Sequence, residues 1–287
     1  MAKKKDEEVV ETNYLDRIYK EVISEFGEGI IQSGEVVKEQ TKRILNVSPL
    51  LDLSLGGGVP TGSWCLISGP PKSSKSSLVL SIAAKAQQKY SDVHIYYGDV
   101  EDRLKIMNLT GIKGLDLSRF HIIRSEKGRI LTAENHLTIY GKIIHTHPNS
   151  ILIIDSSSAL CSEKEMLGEV TAHARNDIAK LMAQFTRKHC GVVPVNNITV
   201  FIVQHQICNV SGYGPKFYED GGRKISYAGD VMLRAKSIEH WKVGNADNEK
   251  NIGQIVNWSI LYTALGMPPG QEVQSYMRYG IGVDDLM

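Results

Sequence analysis

Apolar residues near the start of the chain recur at three- and four-residue spacing: Leu15, Ile18, Tyr19, Val22, Ile23 and Phe26. That period lines them along one stripe and predicts an amphipathic helix, with Asn13 as its N-cap and Gly27 and Gly29 as its stop. The charged stretch Glu35 to Arg43 separates this element from the rest of the chain. An apolar stripe needs a cover, and periodicity leaves two open: the chain's own core or a neighbouring subunit.

Beyond residue 44 the pattern changes. Short β-rich runs at Trp64–Ser68, Val93–Tyr97, Phe120–Ile123, Ile151–Ile154 and Thr199–Val203 alternate with helical patterns, chiefly Ser76–Lys89, Ala133–His145 and Ala172–Lys188. Strand, helix, strand in succession predicts an α/β fold with a mostly parallel sheet flanked by helices. Ile151–Ile154 is apolar at every position, as a central strand buried on both faces must be. From Val231 the runs Val231–Ile238, Gln254–Thr263 and Val273–Tyr279 follow without long helices, so an antiparallel C-terminal extension is expected. The organisation is therefore an N-terminal tail and helix over 1–43 and a core over 44–287.

Two Gly-rich segments punctuate the core. Gly56 to Gly62 turns into the first core strand, and Val210 to Gly222 is too long and too rich in breakers for a plain connection. The second segment is a candidate functional loop.

Composition narrows the class. The chain has 287 residues, 42% hydrophobic and 23% charged, which excludes collagen-like, wholly disordered and integral-membrane chains. No apolar run reaches the ~18 residues that would span a bilayer. The start, Met1 to Glu8, lacks the apolar stretch of a signal peptide, so a cytoplasmic location without membrane attachment is expected. The four cysteines, Cys65, Cys161, Cys190 and Cys208, form no CxxC pair and read as free thiols. A net charge of +1 gives no basic bias, so any nucleic-acid contact must come from local loops.

Gly69-Pro70-Pro71-Lys72-Ser73-Ser74-Lys75-Ser76-Ser77 sits between a strand and a helix, the context that a Walker A loop requires. Backbone N–H groups there, with the helix N-terminus behind them, suit phosphates. Lys75 is expected on the β- and γ-phosphates of ATP and the Ser76 hydroxyl on Mg2+. Ser74 stands where the pattern has Gly. Asp155, ending the apolar strand, supplies the second half of such a site by holding Mg2+ through water. Glu101, after another strand, is placed to polarise an attacking water, and the Gln204 amide to sense a γ-phosphate. Pairing Lys75 with Asp155, each at a strand's C-terminal end, is far more specific than either alone.

The collinear motifs resemble the RecA recombinases, over roughly residues 14 to 283, and the phosphate loop is most similar to phage recombinases of the UvsX type. The resemblance rests on Glu25 to Ile31, Leu51 to Pro60, Asp99-Val100-Glu101, Asp155 to Leu160 with Glu165 and Gly168-Glu169, Phe201 to Gln204, and Gly221 to Ala228. It implies a RecA-like ATPase core that polymerises head to tail on DNA, with ATP between protomers. Single-stranded DNA is gripped by two loops and exchanged with a homologous duplex. In that arrangement the N-terminal stripe docks on the next subunit. The resemblance further implies DNA contacts at Arg175, Tyr213, Gly221, Gly222, Arg223 and Lys224. It makes Lys75 and Ser76 the triphosphate and metal residues, Glu101 the catalytic base, and Gln204 the amide joining the γ-phosphate to the second DNA loop.

The chain also departs from that family. By the resemblance, Tyr262 and Ala264 stand where bacterial RecA has lysines that reach the γ-phosphate of the next protomer, which implies slow hydrolysis, another cation, with Lys242 and Lys250 as candidates, or an altered interface. The adenine-stacking aromatic is not evident near Asn108. The chain ends at Met287, before the small C-terminal domain of bacterial RecA. Two rival readings remain: a RecA-fold ATPase that is not a recombinase, helicase-like or regulatory, and a nucleotide-binding filament protein with little hydrolysis.

Overall fold

The computed structural model describes residues 14, 16–39, 42–168, 176–209, 217–220, 223–245 and 248–285. The chain divides into two units, residues 1–42 and 43–287. In the first, residues 16–26 form helix α1, the element that the apolar period predicts. Gly27, at φ +97°, closes it by donating its N–H to the Ile23 carbonyl at 3.0 Å. Ile18, Tyr19, Ile23 and Phe26 are exposed, while Asn13 and Leu15 lie outside the described residues. A short helix, α2 (Gly34–Glu39), occupies part of the stretch that sequence reads as a charged spacer.

The second unit begins with β1 (Ile44–Leu45), α3 (Pro49–Ser54) and β2 (Val59–Pro60). β1 and β2 pair antiparallel. The Ser48 side chain caps α3. Gly58, at φ +131°, closes the turn, where a Cβ would lie 2.6 Å from the Leu45 carbonyl oxygen, so only glycine fits.

The core then runs β3 (Trp64–Gly69), α4 (Lys75–Lys89), β4 (Ile95–Asp99), α5 (Ile106–Gly111), β5 (Phe120–Ile123), α6 (Ala133–Thr146) and β6 (Ile151–Asp155). It continues through α7 (Glu163–Leu167), α8 (Asn176–His189), α9 (Val192–Val195), β7 (Thr199–Cys208), β8 (Phe217–Glu219) and α10 (Arg223–Ser226). It ends with β9 (Val231–Val243), β10 (Lys250–Tyr262), β11 (Gln271–Arg278) and β12 (Gly282–Val283). One sheet holds these core strands in the order β12-β11-β10-β9-β3-β7-β6-β4-β5, with β8 paired to β7. From β9 to β5 the neighbours are parallel. From β9 to β12 they are antiparallel. This is the mostly parallel sheet with an antiparallel extension that the sequence predicts.

Alternating side chains divide the core into two layers. On one face Ile67, Ile95, Ile153, Phe201 and Val203 pack with Leu78, Val79, Ile82 and Ala86 of α4. On the other Leu66, Leu152, Ile154, Val200 and Ile202 pack with Leu137, Tyr140 and Ile144 of α6 and Ile178, Met182 and Phe185 of α8. Truncating one such side chain, for example Leu152→Ala, costs about 2–5 kcal/mol. Among the described residues no helix is long and apolar enough to cross a membrane, and the four cysteines are free.

Two elements differ from the sequence reading. β7 runs on to Cys208, so Gln204 lies inside the strand rather than after it. Part of the Gly-rich stretch before Gly222 is β8, which pairs antiparallel with the end of β7. Both differences share one cause. Residues 206–208 and 217–219, of mixed polar and apolar character, satisfy each other's backbone as an antiparallel pair, which apolar patterning does not report.

Candidate functional site

The C-terminal ends of β3, β4, β6 and β7 meet at one edge of the sheet, where Gly69 pairs with His205 and Asp99 with Asp155. Above them opens a cavity of about 490 Å³, lined by Lys72 to Ser77, Tyr97, Asp99, Glu101, Asp155 and His205. Leu104, Asn108, Gln254, Tyr279 and Gly280 complete much of the rest of its lining. The volume lies within the roughly 300–1,000 Å³ usual for small-ligand sites. Lys75 and Asp155, distant in sequence, thus line one cavity.

The phosphate loop is shaped by its backbone. Lys72 and Ser74 hold φ of +61° and +59°, the left-handed region that a non-glycine residue enters at a cost of about 1–2 kcal/mol. Ser74 forms the N-cap of α4 without a side-chain cap bond, because its hydroxyl instead meets Gln254 Oε1 at 2.8 Å. The first N–H groups of α4 thereby keep free hydrogen-bonding capacity toward the cavity. Lys75 is buried, and its Nζ donates to the carbonyls of Gly69 at 3.0 Å and Pro70 at 2.7 Å. Gly69 and Pro70 therefore act through their carbonyls and stand behind the lining. Burial pulls the Lys75 pKa down to about 8, against the upward pull of the Asp155 and Glu101 charges.

Asp155 Oδ2 accepts from the Tyr97 hydroxyl. Burial, then the Asp155 charge, drives the Tyr97 pKa far up, so its hydroxyl stays a donor. Ser76 is close enough to Tyr97 to pull its pKa down against those influences, and it lines the same cavity as Asp155, which brings a hydroxyl and a carboxylate oxygen beside one phenol. Hard oxygen donors of this kind, completed by phosphate and water, are what Mg2+ takes. The residues fit such an ion.

Glu101 is held from three sides. Its Oε1 accepts from Ser156 Oγ at 2.8 Å and meets His205 Nε2 at 3.2 Å. Its Oε2 pairs with the Arg103 guanidinium at 2.9 Å. Burial pushes the carboxyl pKa up, but Ser156, His205 and Arg103 together outweigh it and hold the group below its ordinary value. Asp99 builds the turn beneath it by accepting from the N–H groups of Arg103 at 3.0 Å and Leu104 at 3.1 Å. Burial, the largest influence on Asp99, raises its pKa.

Gln204 is fully buried and outside the cavity lining, because strand alternation puts Val203 and His205 there instead. Its Nε2 donates to the Asp220 carbonyl at 2.9 Å, so it grips the residue before Gly221-Gly222 rather than the cavity. Lys72, Ser73, Ser74, Ser76 and Ser77 line the cavity. Arg175, Tyr213, Gly221 and Gly222 lie outside the described residues. Arg223 and Lys224 open α10. Of the two candidate replacement cations, Lys242 is paired with Glu249 at 2.8 Å and Lys250 opens β10. Tyr262 donates its hydroxyl to the Ser226 carbonyl at 2.8 Å.

Sequence reasoning missed Arg103, His205, Gln254 and Tyr279. Arg103 and His205 each stand next to, or one removed from, a motif residue, and strand alternation identifies His205 once β7 is extended. Gln254 and Tyr279 are brought in by the antiparallel extension. α5 and the β11–β12 turn touch so closely that a Cβ on Gly111 would lie 1.6 Å from the Gly280 carbonyl oxygen. Val283 N–H donates to the Ser81 hydroxyl of α4 at 3.0 Å.

A buried lysine in a strand–loop–helix and a strand-end carboxylate line one cavity at the edge of a parallel sheet, the arrangement of a phosphate-loop core. The model of the RecA N-terminal domain matches residues 13–284, and the chain belongs to the RecA family. It is 30% identical over 278 residues to protein RecA of Thermus aquaticus, covering 95% of this chain and 78% of that one. To protein RecA of Nitratiruptor sp. it is 29% identical over 273 residues, covering 94% and 76%. To that of Acholeplasma laidlawii it is 28% identical over 273 residues, covering 94% and 78%.

Proposed function

We propose that this protein is an ATP-dependent DNA recombinase, which forms head-to-tail helical filaments on single-stranded DNA and pairs that strand with a homologous duplex. One observation carries the reading: Lys75, Ser76, Asp155 and Glu101 line a single cavity at the strand ends of a RecA-family core. Lys75 exchanges its Gly69 and Pro70 carbonyl partners for phosphate oxygens. Mg2+, held by the Ser76 hydroxyl and through water by Asp155, would neutralise charge that builds on the phosphates. Glu101, kept ionised by its three partners, takes the proton from the water that attacks the γ-phosphorus. ADP and inorganic phosphate leave.

Gln204 grips Asp220 beside the cavity, and the DNA contacts in this reading are made by Arg175, Tyr213, Gly221, Gly222, Arg223 and Lys224. Such contacts are mainly to the backbone, with stacking on the Tyr213 ring, and give little sequence preference. The exposed apolar stripe on α1 supports docking on the next protomer. In this reading Tyr262 and Ala264 replace the lysines of bacterial RecA, so hydrolysis is slow, another cation such as Lys242 or Lys250 serves, or the interface is altered.

The test is incubation with ATP, Mg2+ and single-stranded DNA, with phosphate release measured and the product imaged. Helical filaments with DNA-stimulated hydrolysis, and joint molecules on adding homologous duplex, support the reading. Closed rings, or hydrolysis indifferent to single strands, identify instead a RecA-fold ATPase with another task. Filaments without hydrolysis, unaltered by Glu101→Ala, identify a nucleotide-binding filament protein.

A further inference from the structure

Glu101 is anchored from outside its own turn by two hydrogen bonds, one to Ser156 just past β6 and one to His205 in β7. The two anchors differ in what stands behind them. Ser156 follows a strand buried in the core. His205 stands where β7 leaves the parallel sheet and enters the hairpin with β8.

The backbone of His205 is committed at both ends. Its N–H donates to Ser158 Oγ at 3.0 Å, and its carbonyl accepts from the Asp220 N–H at 2.9 Å. The carbonyl of the same Asp220 accepts from the Gln204 side chain at 2.9 Å. Two consecutive residues of β7 thus clamp both polar groups of the residue that precedes Gly221-Gly222. The ring of the second reaches the cavity. Its Nδ1 is buried with no hydrogen-bond partner, so a second N–H there would be left unsatisfied. With Nδ1 unpartnered and Nε2 3.2 Å from the Glu101 carboxylate, the ring hydrogen belongs on Nε2, which makes the ring a donor to Glu101.

We propose that His205 is a positioning residue for Glu101, which ties the aim of that carboxylate to the placement of the Gly221-Gly222 segment. This assignment rests on the functional reading above and extends it. A shift of Asp220 on one side is felt at Glu101 on the other through one strand residue. Ser156 supplies the half of the grip that the end of β6 holds, and His205 the half that Asp220 holds.

The experiment compares kcat and KM for ATP, with and without single-stranded DNA, in the full chain and in His205→Leu, His205→Gln and Ser156→Ala. His205→Leu is expected to lower the DNA-stimulated kcat about 10-fold with KM within about twofold, because aim and not affinity is lost. The ratio of stimulated to unstimulated kcat falls with it. His205→Gln, whose amide N–H replaces the lost donor, restores kcat to within about threefold of the native chain. Ser156→Ala lowers both rates together and leaves the ratio unchanged. Thermal melting and ATP binding report whether each variant is folded.

Stimulated turnover in His205→Leu equal to the native chain's overturns the proposal. So does a parallel rise in KM, or no rescue by His205→Gln in a folded protein. A native chain that hydrolyses ATP with no response to DNA overturns the functional reading, and the tie to the Gly-Gly segment falls with it. In that case a preserved kcat loss in His205→Leu still assigns the ring to Glu101.

Discussion

One wall of the cavity is built by parallel strand ends and the start of α4, and it presents Lys75, Asp99, Glu101 and Asp155. A second wall is built by β10 and the turn after β11, and it presents Gln254, Tyr279 and Gly280. The contrast follows from topology. Parallel strands deliver all their C-terminal ends to one edge, so charged residues from distant sequence converge there with a helix N-terminus behind them. Antiparallel strands alternate in direction and deliver one turn at a time, so that wall is neutral. In the proposed function a polyanionic tail, its charge met by Lys75, the start of α4 and a divalent cation, belongs at the first wall, and an uncharged aromatic head at the second.

If the charged wall does the chemistry, Glu101→Gln should show the largest effect. It is expected to lower kcat about 1,000-fold, within the range for loss of a general base, with ATP affinity within about threefold. Single-turnover phosphate release checks it. An unchanged rate would move the base elsewhere. Lys75→Ala comes next, as the loss of a charge-assisted bond to phosphate. The expected weakening of ATP binding is about 100-fold, or about 2.7 kcal/mol, read by calorimetry. Loss of adenosine binding to the same degree would blur the two walls into one.

The pH dependence separates the walls without mutation. Burial holds Lys75 near a pKa of about 8 in the free protein, and neighbouring phosphate charge raises it. The complex then binds more protons than the free chain. ATP affinity is therefore full well below pH 8 and falls as pH rises, by about 10-fold between pH 7 and pH 9. Calorimetry in buffers of different ionisation enthalpy should register proton uptake at pH 8.5 with ATP and none with adenosine. Uptake with both ligands would break the division.

Most of the charged wall was legible in the sequence and most of the neutral wall was not. Lys75, Ser76 and Asp155 belong to local patterns, each a turn or strand end with a fixed neighbour, and local pattern is what a sequence displays. Gln254 and Tyr279 reach the cavity only because β10 and β11 continue the sheet past β9 and fold back on α4 and α5. No local period encodes that approach. Gln204 is the instructive case between them. Its strand was evident, but its length was not, and a strand five residues longer puts Gln204 in the core and His205 in the cavity. Tyr279 tests the neutral wall. Its ring is exposed at the cavity's edge, and stacking on a base contributes about 1 kcal/mol or more. Tyr279→Ala is expected to raise KM for ATP about fivefold and leave kcat unchanged, whereas Tyr279→Phe retains the native KM. A fall in kcat would assign the ring to the chemistry instead.

The smallest effect is expected where the walls touch, at Ser74 and Gln254. Ser74 carries two opposing contributions. Its left-handed backbone costs about 1 kcal/mol relative to glycine, while its hydroxyl gains about 1 kcal/mol from the bond to Gln254. Ser74→Gly removes both, so stability should stay within about 1 kcal/mol of the native chain. Ser74→Ala keeps the strain and loses the bond, so it should be the least stable of the three, by about 1 kcal/mol or a few degrees in melting temperature. Equal stability of the glycine and alanine variants would mean that the backbone strain is absent in solution. If the bond matters beyond stability, it does so by holding the neutral wall against the charged one. Gln254→Ala in the native background and in Ser74→Gly then distinguishes the two contributions. It should weaken ATP binding slightly in the first and leave it unchanged in the second, because the partner is already gone.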